Sequence, residues 1–511
     1  MADFVEHIAD NGSTLSSDDE FDMETDIEME NDDENDIWTN SSFVENKFEY
    51  SLQSRMCIAH IDNMQPIDYF MNFFDETLMN IIVCETNLFQ RQNPIPHREH
   101  MKKWQDTTLQ EMYIFLGIIL LTGMIGKRAL RDYWTTDFLF QTPVFAKIMS
   151  RNRFQDLLRC LHFNDNRKKD NDRLFKLNPI VNYLKQKFRF CTVPSQKLCI
   201  DESLLLWKGK LSFKQYIPSK RSRFGIKMFN LVDCSTRVLL DFIIYTGKET
   251  NIRIDKSIGF SGSIVMTLLL PFLNKGHILY VDNWYSSPSL FTLLLKKRTG
   301  AVGTVRKNRK HLPKLQAKLA KGQTQQLNNG KLLYMKWLDK REVFMLSSIH
   351  QPTMAPTGKT DRNNQAIVKP TCIIDYNQNM GAVDQLDMQI SFTEVIRKTV
   401  KWYKKVFFHL LDLAAFNSYA LYRKKEKSKM THLEFRKTLV RQIFEKFNVF
   451  ENLPSGPSVR AQHFPGQYTE RDNSNRIIKH RCNVCRSLTT WNCETCEIAL
   501  CLPGCFKTKH S

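Results

Sequence analysis

Apolar positions along this chain follow two rhythms, and the change between them comes near Cys191. From about Pro66 the spacing is helical. Thr108-x-x-Glu111 has capping-box form, and the apolar run behind it, Ile114–Gly126, suits a buried helix. Further helices are predicted around Arg153–Leu161 and Ile180–Phe190. Beyond Cys191, LCIDESLLLW, RFGIKMFNLVDC and RVLLDFIIYTG read as three short strands with turn-rich links. Asp233-Cys-Ser-Thr-Arg237 reads as a hairpin loop, which makes Asp233 a turn residue. GHILYVD is a further buried strand, followed by a helix over Ser289–Lys297. Residues 323–350 alternate again, with Asn329-Gly330 marking a hairpin turn. Helix returns near Val383, and strongly amphipathic helices are predicted through Lys401–Tyr422. Residues 453–478, with Pro, Gly and Ser, read as a linker.

Charge changes this picture. Residues 1–50 hold 17 Asp/Glu and one Lys, a balance of −16; the remainder holds 72 Lys/Arg and 37 Asp/Glu, a balance of +35. The first segment cannot bury enough apolar surface to repay ordering, so residues 1–50 are expected to be a disordered acidic tail. The basic body points to a polyanionic partner, nucleic acid first. The longest apolar run is short of the roughly 18–20 residues a membrane span needs. The acidic N-terminus lacks a basic n-region and an apolar h-region, so an intracellular protein with reduced or metal-bound cysteines is expected.

Two strands deliver carboxylates. Leu198-Cys-Ile leads to Asp201, and Ile278-Leu-Tyr-Val leads to Asp282, each expected at a strand end. A third pair, Asp384 and Asp387 in MGAVDQLDMQ, is spaced to share one helix face. Gathered together, such carboxylates repel one another and raise each other's pKa values. A divalent cation removes the conflict, and oxygen-only ligands suit Mg²⁺ or Mn²⁺. Two such ions about 3.5–4 Å apart stabilise both oxygens of a phosphoryl displacement.

The last 30 residues bring a second chemistry: Cys482-x2-Cys485, Cys493-x2-Cys496, then Cys501, Cys505 and His510. Thiolates paired at this spacing bind tetrahedral Zn²⁺, and the first two pairs taken together complete a four-ligand structural site. Cys501, Cys505 and His510 are then surplus and suggest a second ion, with His480 as a candidate fourth ligand.

CIDESLLLWKG, YIPSKRSRFGIKMF, DNWYSS, GTVRKNRKHLP, MGAVDQLD and the terminal Cys-rich tract resemble the piggyBac transposase family, from about residue 60 to the C-terminus and in the family's order. The resemblance implies an α+β multidomain protein with an RNase H-like catalytic core. Its acidic triad falls on Asp201, Asp282 and Asp384, with a further carboxylate at Asp387. It divides the chain into an acidic tail (1–50), a helical dimerisation and DNA-binding region (51–192) and a first core part (193–304). A β-rich insertion (305–371), a second core part (372–394), a helical DNA-binding region (395–452), a linker (453–478) and a zinc-binding Cys-rich domain (479–511) follow. The family's cross-brace zinc module reads DNA near element ends, although similar zinc folds bind histone tails or partner proteins. The chain departs from the family's usual pattern at SKRSRFGIK and at GAVDQLD, neither of which touches a carboxylate.

The resemblance further implies a nuclear, homodimeric DNA transposase that uses Mg²⁺ (or Mn²⁺) and Zn²⁺. Its partner would be double-stranded DNA, as element terminal repeats and a TTAA target, cut and joined through hairpin intermediates. Basic residues suited to phosphate contact are Arg306, Lys307, Arg309 and Lys310, then Lys398, Lys401, Lys404 and Lys405, with Trp402 and Tyr403 for stacking or for a buried helix face. The other reading is a domesticated, catalytically inactive DNA- or chromatin-binding protein. A ubiquitin ligase is disfavoured because the tract lacks a Cys-x-His centre.

Overall fold

The computed structural model describes residues 37–57, 63–94, 104–218, 223–395, 399, 401–449 and 464–510. Residues 1–36 of the expected tail, residues 453–463 of the expected linker, Lys398 and the side chain of His510 lie outside the described residues. The chain divides into two units, Met1–Phe447 and Asn448–Ser511.

The larger unit opens with helices α1 (Pro66–Met71), α2 (Glu76–Gln92), α3 (Leu109–Met124), α4 (Pro143–Ile148), α5 (Arg151–Cys160) and α6 (Asn178–Phe190). Thr108 caps α3 by accepting the Glu111 N–H at 3.2 Å. The reciprocal half of the capping box is not made. Glu111 instead takes a two-pronged contact from Arg153 (2.7 and 2.6 Å), a charge-assisted pair stronger than a bond to one backbone amide.

Strands β1 (Lys197–Leu206), β2 (Gln215–Tyr216), β3 (Phe224–Asp233) and β4 (Leu239–Ile244) precede α7 (Gly259–Leu269). Then come β5 (Ile278–Val281), α8 (Pro288–Lys296), β6 (Gly300–Thr304), β7 (Thr324–Asn328), β8 (Leu333–Leu338) and β9 (Glu342–Ser347). One sheet runs β2-β3-β1-β5-β6-β9-β8-β7, with β4 also paired to β3. Its centre, β1-β5-β6, is parallel; β1-β3 and β3-β4 are antiparallel, as are the strands beyond β6. Three strands of the 305–371 stretch thus extend the main sheet through β6–β9 pairing, and β10 (Met354–Thr360) with β11 (Ala366–Pro370) forms a separate hairpin. The predicted hairpins at Asp233–Arg237 and Asn329-Gly330 both form.

Helices α9 (Thr371–Asn379), α10 (Ala382–Ser391), α11 (Trp402–Lys425) and α12 (His432–Lys446) complete the unit. The sequence predicts an amphipathic α11. In the structure every residue from Tyr403 to Leu421 is buried, because α11 is packed by α1, α6, α10 and α12. Several of its polar residues are satisfied internally: Asp412 pairs with Arg436 at 2.8 Å, and the Asn417 amide bonds the Leu239 N–H and C=O.

Residues 37–50 correct the disordered-tail expectation. They form an extended strap along the amino edge of the central strands: Thr39 pairs with Asn328, Asn46 with Ser348, and the Tyr50 hydroxyl donates to the Pro194 carbonyl. Gly276 (φ +81°) sits where any Cβ would fall 2.3 Å from the Glu49 carbonyl oxygen. Aromatic and amide groups, not net charge, hold this segment; Trp38 meets the Tyr334 ring edge-on at 6.1 Å.

The smaller unit holds β12 (Pro465–Gln467), β13 (His480–Arg481), β14 (Leu488–Thr489), β15 (Trp491–Cys493), β16 (Ile498–Ala499) and α13 (Gly504–His510). Among the described residues its main buried cluster is Cys482, Cys493 and Leu500, with four flanking side chains. No described helix is long and apolar enough to cross a membrane.

Candidate active site and metal centre

Parallel pairing decides where the first two carboxylates meet. Cys199 of β1 lies opposite Tyr280 of β5. The paired residues end there; carried two residues further along both chains, the register would set Asp201 alongside Asp282. Asp282 follows β5 directly, as the sequence predicts. Asp201 does not end its strand: β1 runs on to Leu206 because Asp201–Leu206 keep pairing with β3. The cluster therefore lies at the carboxyl end of β5 but beside the middle of β1.

The DNWYSS turn is built locally. Asp282 Oδ1 accepts the Trp284 N–H at 3.0 Å, and the Asp282 carbonyl accepts the Ser286 N–H (3.2 Å) and hydroxyl (2.9 Å). Gly303 of β6 leaves room for this turn, since a Cβ there would fall 2.2 Å from Ser286 Oγ. Arg309 closes it from outside, donating Nη2 to the carbonyls of Asn283 (2.6 Å) and Trp284 (3.2 Å).

Burial, then the charge of Glu202, pushes the Asp282 carboxyl up to about 7, against the N–H groups of Trp284 and Tyr285 and the Lys227 ammonium. Glu202 is the residue that sequence reading passed over; its signal was the Asp-Glu pair in CIDES. The Tyr285 hydroxyl donates toward Glu202 at 3.5 Å. Tyr376 on α9 also faces the cluster: burial first, then Asp282 and Asp201, hold its phenol well above the ordinary range.

The third acidic pair is placed less tightly. The Cys199 thiol donates to the Met380 carbonyl at 3.0 Å, so the start of α10 lies over the face of β1 that also carries Asp201. Asp384 is exposed on the first turn of α10, and Asp387 is half-buried on the same helix face. Among the described residues, the oxygens of no three carboxylates all fall within 4.8 Å of one another.

The basic residues separate into two groups. Arg306, Lys307 and Lys310 leave β6 at the sheet edge that carries Asp282, because Val281 pairs with Gly303 in the parallel register. Lys307 and Lys310 are exposed and Arg306 is half-buried. Lys404 and Lys405, expected at a DNA surface, are 5% and 3% exposed. Lys404 Nζ donates to the Leu158 and Arg159 carbonyls (2.7 and 2.8 Å), and Lys405 pairs with Glu394. Their place on the buried α11 makes both structural in the first instance. Lys401 is exposed, Tyr403 is buried, and Trp402 packs edge-on against Phe213 at 5.3 Å.

In the smaller unit the sulfurs of Cys482, Cys485, Cys501 and Cys505 lie within 4.8 Å of one another. This corrects the grouping by sequence order, which joined Cys482 and Cys485 to Cys493 and Cys496. Short hairpins return the chain so that the first pair meets the third, while Cys493 and Cys496 are near each other and are not among the four. Both Cys-x2-Cys loops end in a left-handed residue, Arg486 (φ +66°) and Glu497 (φ +56°). Burial opposes ionisation of Cys482, but the N–H groups of Cys485, Val484 and Cys501 bring its thiol down to about 6. Four thiols so arranged, with Cys482 and Cys485 both lowered, could hold a tetrahedral metal ion such as Zn²⁺.

A model of the transposase IS4 family matches residues 65–419. This chain belongs to that family, in its piggyBac branch. The human PiggyBac transposable element-derived protein 3 is 26% identical over 460 residues, 85% of this chain and 74% of the relative. The human chimeric ERCC6-PGBD3 protein matches equally over 42% of its own length, and the human PiggyBac transposable element-derived protein 2 is 25% identical over 71% of this chain and 63% of its own. A cryo-EM structure of a piggyBac transposase synaptic complex with hairpin DNA superposes with a TM-score of 0.66 at 25% identity, covering 86% of this chain and 95% of that one.

Proposed function

We propose that this protein is a piggyBac-type DNA transposase that cuts and joins DNA by metal-dependent phosphoryl transfer at Asp201, Asp282 and Asp384, with Asp387 beside them. The observation that carries the reading is the buried Asp282, its carboxyl pushed up to about 7 by burial and then by Glu202, at the end of β5 and next to β1, the strand that carries Asp201 and Glu202. Carboxylates set to repel in a buried place fit a divalent cation, and the donors are all oxygens. Mg²⁺ held there would neutralise charge on the attacking and leaving oxygens. The sheet order β4-β3-β1-β5-β6, three antiparallel strands then two parallel, supports an RNase H-like core, with 305–371 as its β-rich insertion. The remaining domain boundaries follow the same reading: helices 51–192 and 395–452 flank the core, and 479–511 binds zinc.

The chain's own residues have separable duties. Arg309 fixes the turn that orients Asp282. Arg306, Lys307 and Lys310, leaving the same sheet edge, are placed to hold phosphates near the reacting one. Because each step displaces an oxygen at phosphorus, one cluster serves cutting, hairpin formation and joining to a TTAA target. Homodimerisation, nuclear location and recognition of terminal repeats belong to this proposal. A domesticated DNA-binding protein without catalysis is the second reading, favoured by the exposed position of Asp384.

The test is Mg²⁺-dependent nicking of duplexes carrying the parent element's terminal repeats. Asp282→Asn abolishes nicking and leaves DNA affinity nearly unchanged. Nicking by the variant at the wild-type rate would rule out the catalytic assignment. A wild type that binds but never nicks supports the domesticated reading.

A further inference from the structure

We infer that Asp375 is a positioning residue for the third carboxylate: it pins α9 to the sheet and, through the short turn that follows, sets α10 and Asp384 against β1. The inference deepens the transposase reading and rests on it.

One carboxylate gathers contacts from four parts of the fold. Asp375 Oδ1 takes the Lys197 ammonium of β1 at 2.5 Å, and Oδ2 accepts the Tyr280 hydroxyl of β5 at 2.5 Å. His350, in the segment after β9, brings Nε2 to 3.3 Å from Oδ2, and its Nδ1 lies 2.9 Å from Ser347 Oγ. Asn379, one turn further along α9, donates its amide to Oδ1 at 3.1 Å. Burial opposes ionisation of Asp375, but the hydrogen bonds from His350, Lys197 and Tyr280 outweigh it and hold the carboxyl well below the ordinary range.

The end of α9 is fixed to the same sheet. The Cys199 thiol donates to the Met380 carbonyl at 3.0 Å, and the Cys234 thiol, just after β3, donates to the Asn379 carbonyl at 3.5 Å. Lys197, Cys199 and Asp201 alternate onto one face of β1. Asp375 meets the first of them and Met380 the second. The two steps match in length, since two strand residues span about 6.6 Å and five helical residues about 7.5 Å. Asp201 is the third position on that face, and the residues after Met380 open α10, whose first turn carries Asp384. Tyr376, which faces Asp282 and Asp201, is the neighbour of Asp375, so α9 carries its anchor and a wall of the cluster on adjacent residues.

Ion pairing for stability explains one lysine and one acid. It does not explain further donors brought from β5 and from the segment after β9 to the same carboxylate, because burying such charges often costs as much as their attraction returns. What a network of this kind confers is a single position. Asp384 needs that: among the described residues no hydrogen bond or ion pair holds its side chain, so its place is set by the helix that carries it.

The test reads cation binding separately from activity. The full chain is melted at pH 8 across a Mg²⁺ titration, and the concentration giving half the rise in Tm is compared among variants. Asp375→Asn raises that midpoint about 10- to 100-fold, the range typical when a group that orients a metal ligand is removed. Tyr280→Phe keeps the Lys197 pair and loses one hydrogen bond, which raises the midpoint about fivefold. Nicking of a terminal-repeat duplex at limiting Mg²⁺ falls in step, with DNA affinity unchanged. In an Asp384→Asn background the Asp375 change adds less than about threefold, because the two residues act on one ligand position. Asp241→Asn is the control for lost stability: its buried carboxylate pairs with Lys185 and Arg189 of α6, so its Tm falls while the midpoint stays. An Asp375→Asn variant that melts low with the wild-type midpoint, or whose effect adds fully to that of Asp384→Asn, overturns the inference and leaves the transposase reading standing. If Asp375→Asn does not fold, Tyr280→Phe decides alone, and an unmoved midpoint overturns the inference. A wild type whose Tm and nicking both ignore Mg²⁺ overturns the transposase reading as well.

Discussion

Asp282 is the residue whose replacement should separate stability from function. Its carboxyl has an ordinary value of 3.8 and sits at about 7 in the fold, raised by burial and then by Glu202. Between those values the folded chain holds a proton that the unfolded chain has released. Stability therefore falls as pH rises from about 4 to 7, and the whole penalty is present above 7. At about 1.36 kcal/mol per pH unit the penalty is about 4 kcal/mol. The amide introduced by Asp282→Asn carries no charge, so the variant without added divalent cation should be more stable than the wild type at pH 8 and equal to it at pH 4. Unfolding entropy for a unit of this size is on the order of 1 kcal/mol/K, which converts the gain to about 4 °C in Tm. The assay is a set of thermal melts by circular dichroism between pH 4 and 8. Mg²⁺ should then raise the wild-type Tm at pH 8 and leave the variant's where it was. A variant less stable at pH 8, or a difference independent of pH, would refute the claim that repelling carboxylates define this place.

Two further outcomes follow from the geometry. Arg309→Ala removes two hydrogen bonds to the Asn283 and Trp284 carbonyls, and loosening that turn should lower the nicking rate about tenfold, at about 1.4 kcal/mol per decade, while DNA affinity moves less than threefold; Arg309→Lys at wild-type rate would show that the charge, not the paired bonds, is what counts. Removal of zinc by chelation, or Cys482→Ser, should open residues 464–510 to limited proteolysis while the larger unit keeps its Tm, since the small core of Cys482, Cys493 and Leu500 cannot order that unit alone; a protease-resistant C-terminal unit without metal would contradict this.

Much of the site was legible in the chain. Short apolar runs leading to acids, LCID and ILYVD, give strands from periodicity, and parallel pairing sets β1, which carries Asp201, next to β5, which leads to Asp282. Asp233, read from the sequence as a turn residue, is instead the buried last residue of β3, where its carboxylate accepts from Ser195 and Ser235. Glu202 was missed because its neighbour Asp201 drew the attention, and alternation along a strand turns adjacent residues to opposite faces. The charge that acts on Asp282 is nonetheless that of Glu202.

The sequence by itself determined the local elements, the polarity of the strand ends, the charge of the body and the kinds of metal ligand present, because each depends on neighbours within a few residues. Tertiary structure alone decided which cysteines come together, that Lys404 and Lys405 are buried, and that residues 37–50 lie along the sheet. These depend on contacts between segments far apart in the chain. A helix rich in lysine reads as a surface until one knows that other helices enclose it, and a cysteine pair reads as half a site until a hairpin brings its partner back.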